Sequence, residues 1–143
     1  MPKLIAAIKH DYPQFTIKQG PRFCWKPPKT IIYEPEIAYP PLYFALQTLH
    51  ELGHAVSGHK HYKTTVERLK IESEAWSAAK TLFKKYQKSG VLPKDWTFDE
   101  DFAEGELDTY RNWLHTKPTC KSCGLTMYQT KDGAFHCPHC DSL

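Results

Sequence analysis

Apolar positions at three-to-four spacing mark two long helices in this chain. Leu42, Leu46, Leu49, Gly53 and Val56 form one stripe, in a segment opening at Pro41 and too apolar throughout to be a solvated helix. A second helix is predicted from Thr65 to Gln87, with Leu69, Ala75, Trp76, Ala79, Leu82, Phe83 and Tyr86 on its apolar side. A third runs from Phe98 to His115, and Leu4–Ile8 reads as a short N-terminal helix. Between them lie strand-like runs at Phe15–Lys18, Arg22–Trp25 and Thr30–Tyr33, punctuated by Gly20-Pro21 and Lys26-Pro27-Pro28. Near the C-terminus, Leu125–Thr130 and Ala134–His136 read as two short strands joined by a turn at Lys131-Asp132-Gly133. Helices and a small sheet in separate stretches predict an α+β fold.

One segment of the first helix carries chemistry. His50-Glu51-Leu52-Gly53-His54 is an H-E-x-x-H sequence, and residues four apart share a helix face, so His50 and His54 can point at one metal ion. Glu51 stands beside them as a candidate general base. Zinc suits such a set, because three protein ligands leave a fourth position for water, whose pKa falls to roughly 7. Gly53 costs a helix roughly 1 kcal/mol relative to Ala, so its presence predicts a close backbone approach. For the third ligand the helical wheel selects Glu72, which falls in the middle of the second apolar stripe, where a lone carboxylate is costly to bury. Glu74 lies on the opposite face and is expected to be solvated.

A second metal site is predicted from Cys120-Lys121-Ser122-Cys123 and Cys137-Pro138-His139-Cys140. Two C-x-x-C pairs at this separation are the pattern of a zinc ribbon, in which four thiolates close a tetrahedral structural site. Cys24, the fifth cysteine, is expected to be a small buried hydrophobe.

His50-Glu51-Leu52-Gly53-His54, followed by Glu72-Ser73-Glu74-Ala75-Trp76-Ser77-Ala78-Ala79, resembles the gluzincin metallopeptidases, and among them the ImmA/IrrE family, whose second motif is similar to E-x-E-A-N-x-F-A. The resemblance implies a zincin-like domain over residues 1–116, with zinc held by His50, His54 and Glu72 and Glu51 as base. The four-cysteine ribbon would then occupy 117–143, after a linker at Thr116-Lys117-Pro118. Trp76 departs from the pattern, standing where a small polar residue is usual, and thermolysin-like spacing counted from His54 would select Glu74 in place of Glu72. His59, one position off metzincin spacing, is a weaker alternative ligand. The stretch through Gly58-His59 is also similar to antirestriction proteins of the ArdC type.

These features predict a zinc-dependent metallopeptidase with two zinc ions per chain, one catalytic and one structural. The expected mechanism is Glu-assisted attack of zinc-bound water on a protein substrate, and the family implies a regulatory protein such as a repressor. Oxyanion donors would come from Tyr39, Tyr43, His59, His61 or His115. Thr30–Tyr33 is the expected edge on which a substrate strand would lie. The competing expectation is a non-proteolytic zinc module that binds DNA or protein; Glu51 argues against it, since a purely structural zinc leaves that acid without a task. A net charge of +3 is too slight to require nucleic acid, and basic residues around the ribbon are few. With no apolar span or leader apparent and its cysteines suited to reduced metal binding, the chain is expected to be cytoplasmic and not membrane-bound.

Overall fold

In the computed structural model the described residues are 2–115, 119–131 and 134–140, and the fold is mixed α+β. In chain order it comprises α1 (Pro2–Asp11), β1 (Thr16–Gln19), β2 (Cys24–Lys26), β3 (Thr30–Tyr33), α2 (Pro41–Val56), α3 (Thr65–Lys88), α4 (Glu100–His115), β4 (Tyr128–Gln129) and β5 (Phe135–His136). The chain divides into two compact units: residues 1–60 with 71–100, and 61–70 with 101–143. The linker expected at Thr116–Pro118 and the Asp132-Gly133 part of the expected turn lie outside the described residues. Among the described residues, no helix is long and apolar enough to cross a membrane.

The first unit is built around a three-stranded sheet of order β1-β3-β2, with β1 parallel and β2 antiparallel to β3. This corrects one expectation. Thr30–Tyr33 is the central strand, already paired on both sides, and offers no edge to a substrate. Its consecutive Ile31 and Ile32 point to opposite faces and are both buried, as a central strand requires. α2 packs on β2 and β3, and α1 lies against β1.

Eleven of the 16 residues of α2 are buried, which explains why its sequence is apolar nearly all round. Pro41 starts it where a missing N–H is harmless, and Gly58 ends it in the left-handed region at φ 69°. The last position of the expected stripe, Val56, is exposed because the helix stops there and the chain turns away. On α3 the buried residues are Ala75, Trp76, Ala79, Leu82, Phe83 and Tyr86, while Leu69 is only half-buried. Cys24 is also half-buried, not enclosed as expected, with its thiol 3.7 Å from the Trp25 carbonyl.

Candidate metal centres

α2 and α3 meet at Gly53. A Cβ added there would lie 2.4 Å from the Ala75 carbonyl oxygen, so only glycine permits this approach. The contact brings Glu72, one turn before Ala75, level with the two histidines of α2. Glu72 Oε2 lies 2.8 Å from His50 Nε2 and 3.2 Å from His54 Nε2. His50 and His54 are each 7% exposed, and the Glu72 side chain is 13% exposed. One ligand atom from each residue falls within 4.8 Å of the others, a spacing that can hold a metal ion. Burial acts to raise the Glu72 pKa, but hydrogen bonds from His50 and His54 and their charge outweigh it and hold the carboxyl well below the usual range.

Glu51 is buried beside this group. Its pKa is pushed up by burial, against the opposing pull of His50 and His54 and a hydrogen bond from the Trp25 backbone N–H. The His50 ring stacks on Trp76 at 4.3 Å between centroids and 28° between planes. Trp76 thus contributes a flat apolar wall where the resembled motif has a small polar residue. Among the described residues, His50 Nδ1 is buried without a hydrogen-bond partner.

Sequence reasoning missed the surroundings of His54. Its Nδ1 lies 3.0 Å from Nδ1 of His59, whose Nε2 lies 2.8 Å from Glu74 Oε2. Glu74 is therefore engaged, although its side chain is 47% exposed, and the expectation that it is merely solvated is corrected. The helical wheel placed Glu74 off the stripe correctly, but it could not show that the turn at Gly58 swings His59 back to meet it. His59 is 8% exposed and faces the opposite nitrogen of His54 from the one that meets Glu72. Of the oxyanion candidates, Tyr39 donates to Glu34 at 2.8 Å and Tyr43 to Asp99 at 3.3 Å. His61 is exposed, and the His115 side chain is outside the described set.

In the second unit the four cysteines converge. Cys120 and Cys140 sulfurs are 3.8 Å apart and those of Cys123 and Cys137 3.4 Å, and all four lie within 4.8 Å of one another. Backbone amides of Cys123 and Ser122 hold the Cys120 thiol down to about 6, favouring the thiolate a metal needs. Contact with the Cys120, Cys137 and Cys123 sulfurs pushes Cys140 up to about 12. The flanking strands pair antiparallel, Tyr128 opposite His136 and Gln129 opposite Phe135. The first is shorter than expected, since Thr126 makes only an isolated bridge to Thr119. The same unit holds a cavity of about 480 Å³ whose lining includes Tyr62, Lys63, Arg68, Tyr110 and Lys131. A scan against models of known protein families finds no match, and neither does a search of curated proteins or of solved structures.

Proposed function

We propose that the chain is a zinc-dependent metallopeptidase whose catalytic zinc is held by His50, His54 and Glu72. The observation that carries this reading is the convergence of two imidazole nitrogens and one carboxylate oxygen beside a buried fourth residue, Glu51. Two nitrogens and one oxygen make a borderline donor set that fits zinc better than magnesium or calcium, which favour all-oxygen cages. When bound, zinc supplies Lewis acidity toward a substrate carbonyl and toward water.

The chain's own residues supply the rest. Glu51 accepts the proton as water adds to the scissile carbonyl carbon, and returns it to the amine nitrogen as the C–N bond breaks. Burial, which pushes the Glu51 pKa up, favours proton uptake by this carboxylate. Trp76 and Trp25 keep two sides of the site in protein contact, through the His50 stack and the bond to Glu51. The four cysteines would hold a second, structural zinc with no open position, leaving that element free to position a partner. The substrate class consistent with the ImmA/IrrE resemblance is a regulatory protein such as a repressor.

Purified protein should cut an unfolded protein in a reaction stopped by a zinc chelator, restored by added zinc and absent in His50→Ala. Cleavage that persists in the chelator-treated protein and in His50→Ala would end this reading. A second reading, a binding module, draws on the cavity of the second unit. Lys63, Arg68 and Lys131 line it together with Tyr62 and Tyr110, a lining that suits an anionic, ring-bearing ligand.

A further inference from the structure

We propose that Glu74 and His59 form a positioning pair that sets the tautomer of His54, and so governs how tightly the His50–His54–Glu72 cluster holds zinc. The inference rests on the metal reading above and concerns residues outside the ligand set.

An ionised carboxylate only accepts, so at 2.8 Å from Glu74 Oε2 the His59 Nε2 carries a hydrogen. A neutral His59 then has a bare Nδ1. That atom faces His54 Nδ1 at 3.0 Å, and a hydrogen bond between them requires the hydrogen to sit on His54. With the Nδ1 hydrogen held in place, the hydrogen a metal displaces is the one on His54 Nε2, which in the metal-free site bonds to Glu72, and the lone pair is left on that atom. This is the tautomer a metal needs.

Without the carboxylate the opposite order becomes open. A hydrogen on His59 Nδ1 would donate to His54 Nδ1 and leave the His54 hydrogen on Nε2, bonded to Glu72 at 3.2 Å. That arrangement occupies the lone pair a cation would use. Glu74 thus acts through two rings, from a half-exposed position on α3.

His59 is built to transmit this. Its backbone N–H donates to the His54 carbonyl at 3.1 Å, and its carbonyl accepts from Trp25 Nε1 at 2.8 Å. Gly58, at φ 69°, makes the turn that returns the ring over the end of α2. His50 has no matching device: stacking on Trp76 orients its plane, but its Nδ1 has no partner among the described residues to choose a tautomer. The control is one-sided, acting on His54 alone.

The test uses the full chain as wild type, Glu74→Ala, Glu74→Gln, His59→Phe and His50→Ala. Zinc affinity is read by chelator competition, and histidine tautomers by nitrogen NMR of the metal-free protein. Glu74→Ala and His59→Phe should weaken the histidine-site zinc by about 10–100-fold, the range for lost outer-shell partners, with cysteine-site zinc unchanged. Glu74→Gln, whose amide oxygen still accepts from His59 Nε2, should recover most of the loss. The wild-type spectrum should show hydrogens on His54 Nδ1 and His59 Nε2, and Glu74→Ala should lose that pattern. Equal affinity and equal tautomers in Glu74→Ala and wild type would overturn the proposal, as would Glu74→Gln binding no better than Glu74→Ala. If His59→Phe fails to fold, the Glu74 series still decides. A wild-type affinity indistinguishable from that of His50→Ala would sink the metal reading itself, a separate outcome from failure of the positioning pair alone.

Discussion

The two candidate metal centres are built in opposite ways. The histidine cluster sits in a framework that apolar packing already holds, with eleven of 16 residues of α2 buried around it. The cysteine cluster has almost no such framework: among the described residues of 119–140 only Cys137 is buried. A site whose scaffold stands without metal can keep an open coordination position and a buried acid beside it. A site whose scaffold is little more than its ligands needs every coordination position filled. That contrast, more than the donor types alone, is why the first is proposed as catalytic and the second as structural.

Removing metal should separate the two regions most sharply. On full chelation the segment 119–140 should lose its amide protection, since structural zinc in small domains supplies about 10–16 kcal/mol. The amides of α2 and of α3 beyond Ile71 should stay protected. Hydrogen exchange followed by mass spectrometry reads both regions at once; simultaneous collapse would break the comparison. Elemental analysis then sharpens it. Wild type should carry two zinc equivalents, His50→Ala should lose one and Cys137→Ser the other. Glu72→Gln should empty the histidine site while Glu74→Gln leaves most of its zinc; the reverse order would favour thermolysin-like spacing.

Smaller effects test the scaffold alone. Gly53→Ala should destabilise the protein by about 1–3 kcal/mol, because the new methyl meets the Ala75 backbone and the two helices must part. Gly58→Ala meets no neighbour but must hold a left-handed residue, at a cost of about 1–2 kcal/mol. Thermal melts measure both. Gly53→Ala should also loosen histidine-site zinc, because separating the helices withdraws Glu72 from His50 and His54.

Helix positions were legible because a period of 3.6 is a local property, and α2, α3 and α4 appear within about two residues of their expected bounds. The same periodicity put Glu72 on the face that meets the histidines, and the cost of a glycine inside a helix pointed to a close backbone approach at Gly53. The gathering of the four cysteines was legible from spacing, since each pair needs only a tight turn. What could not be read was non-local. β3 is central only because β1 pairs with it in parallel across intervening residues, and no local pattern announces such a pairing. Glu74 lies about 200° round α3 from Glu72, so helical-face reasoning separated them. Their connection runs through both nitrogens of His54 and through His59, which the Gly58 turn folds back onto the helix. Trp76 was legible as an apolar stripe residue, but its stacking on His50 depends on how two helices cross.

The central claim is that Glu51 moves the proton in peptide hydrolysis, and one comparison tests it directly. Wild type and Glu51→Gln, each verified to carry two zinc equivalents and the same melting temperature, would be incubated with a library of unfolded protein fragments, and new N-termini counted by mass spectrometry. The amide of glutamine keeps the shape and a hydrogen-bonding oxygen but cannot take up a proton. New termini should appear with wild type and essentially none with Glu51→Gln. Cleavage by Glu51→Gln at close to the wild-type rate, or no cleavage by the zinc-loaded wild type on any fragment, would contradict the claim.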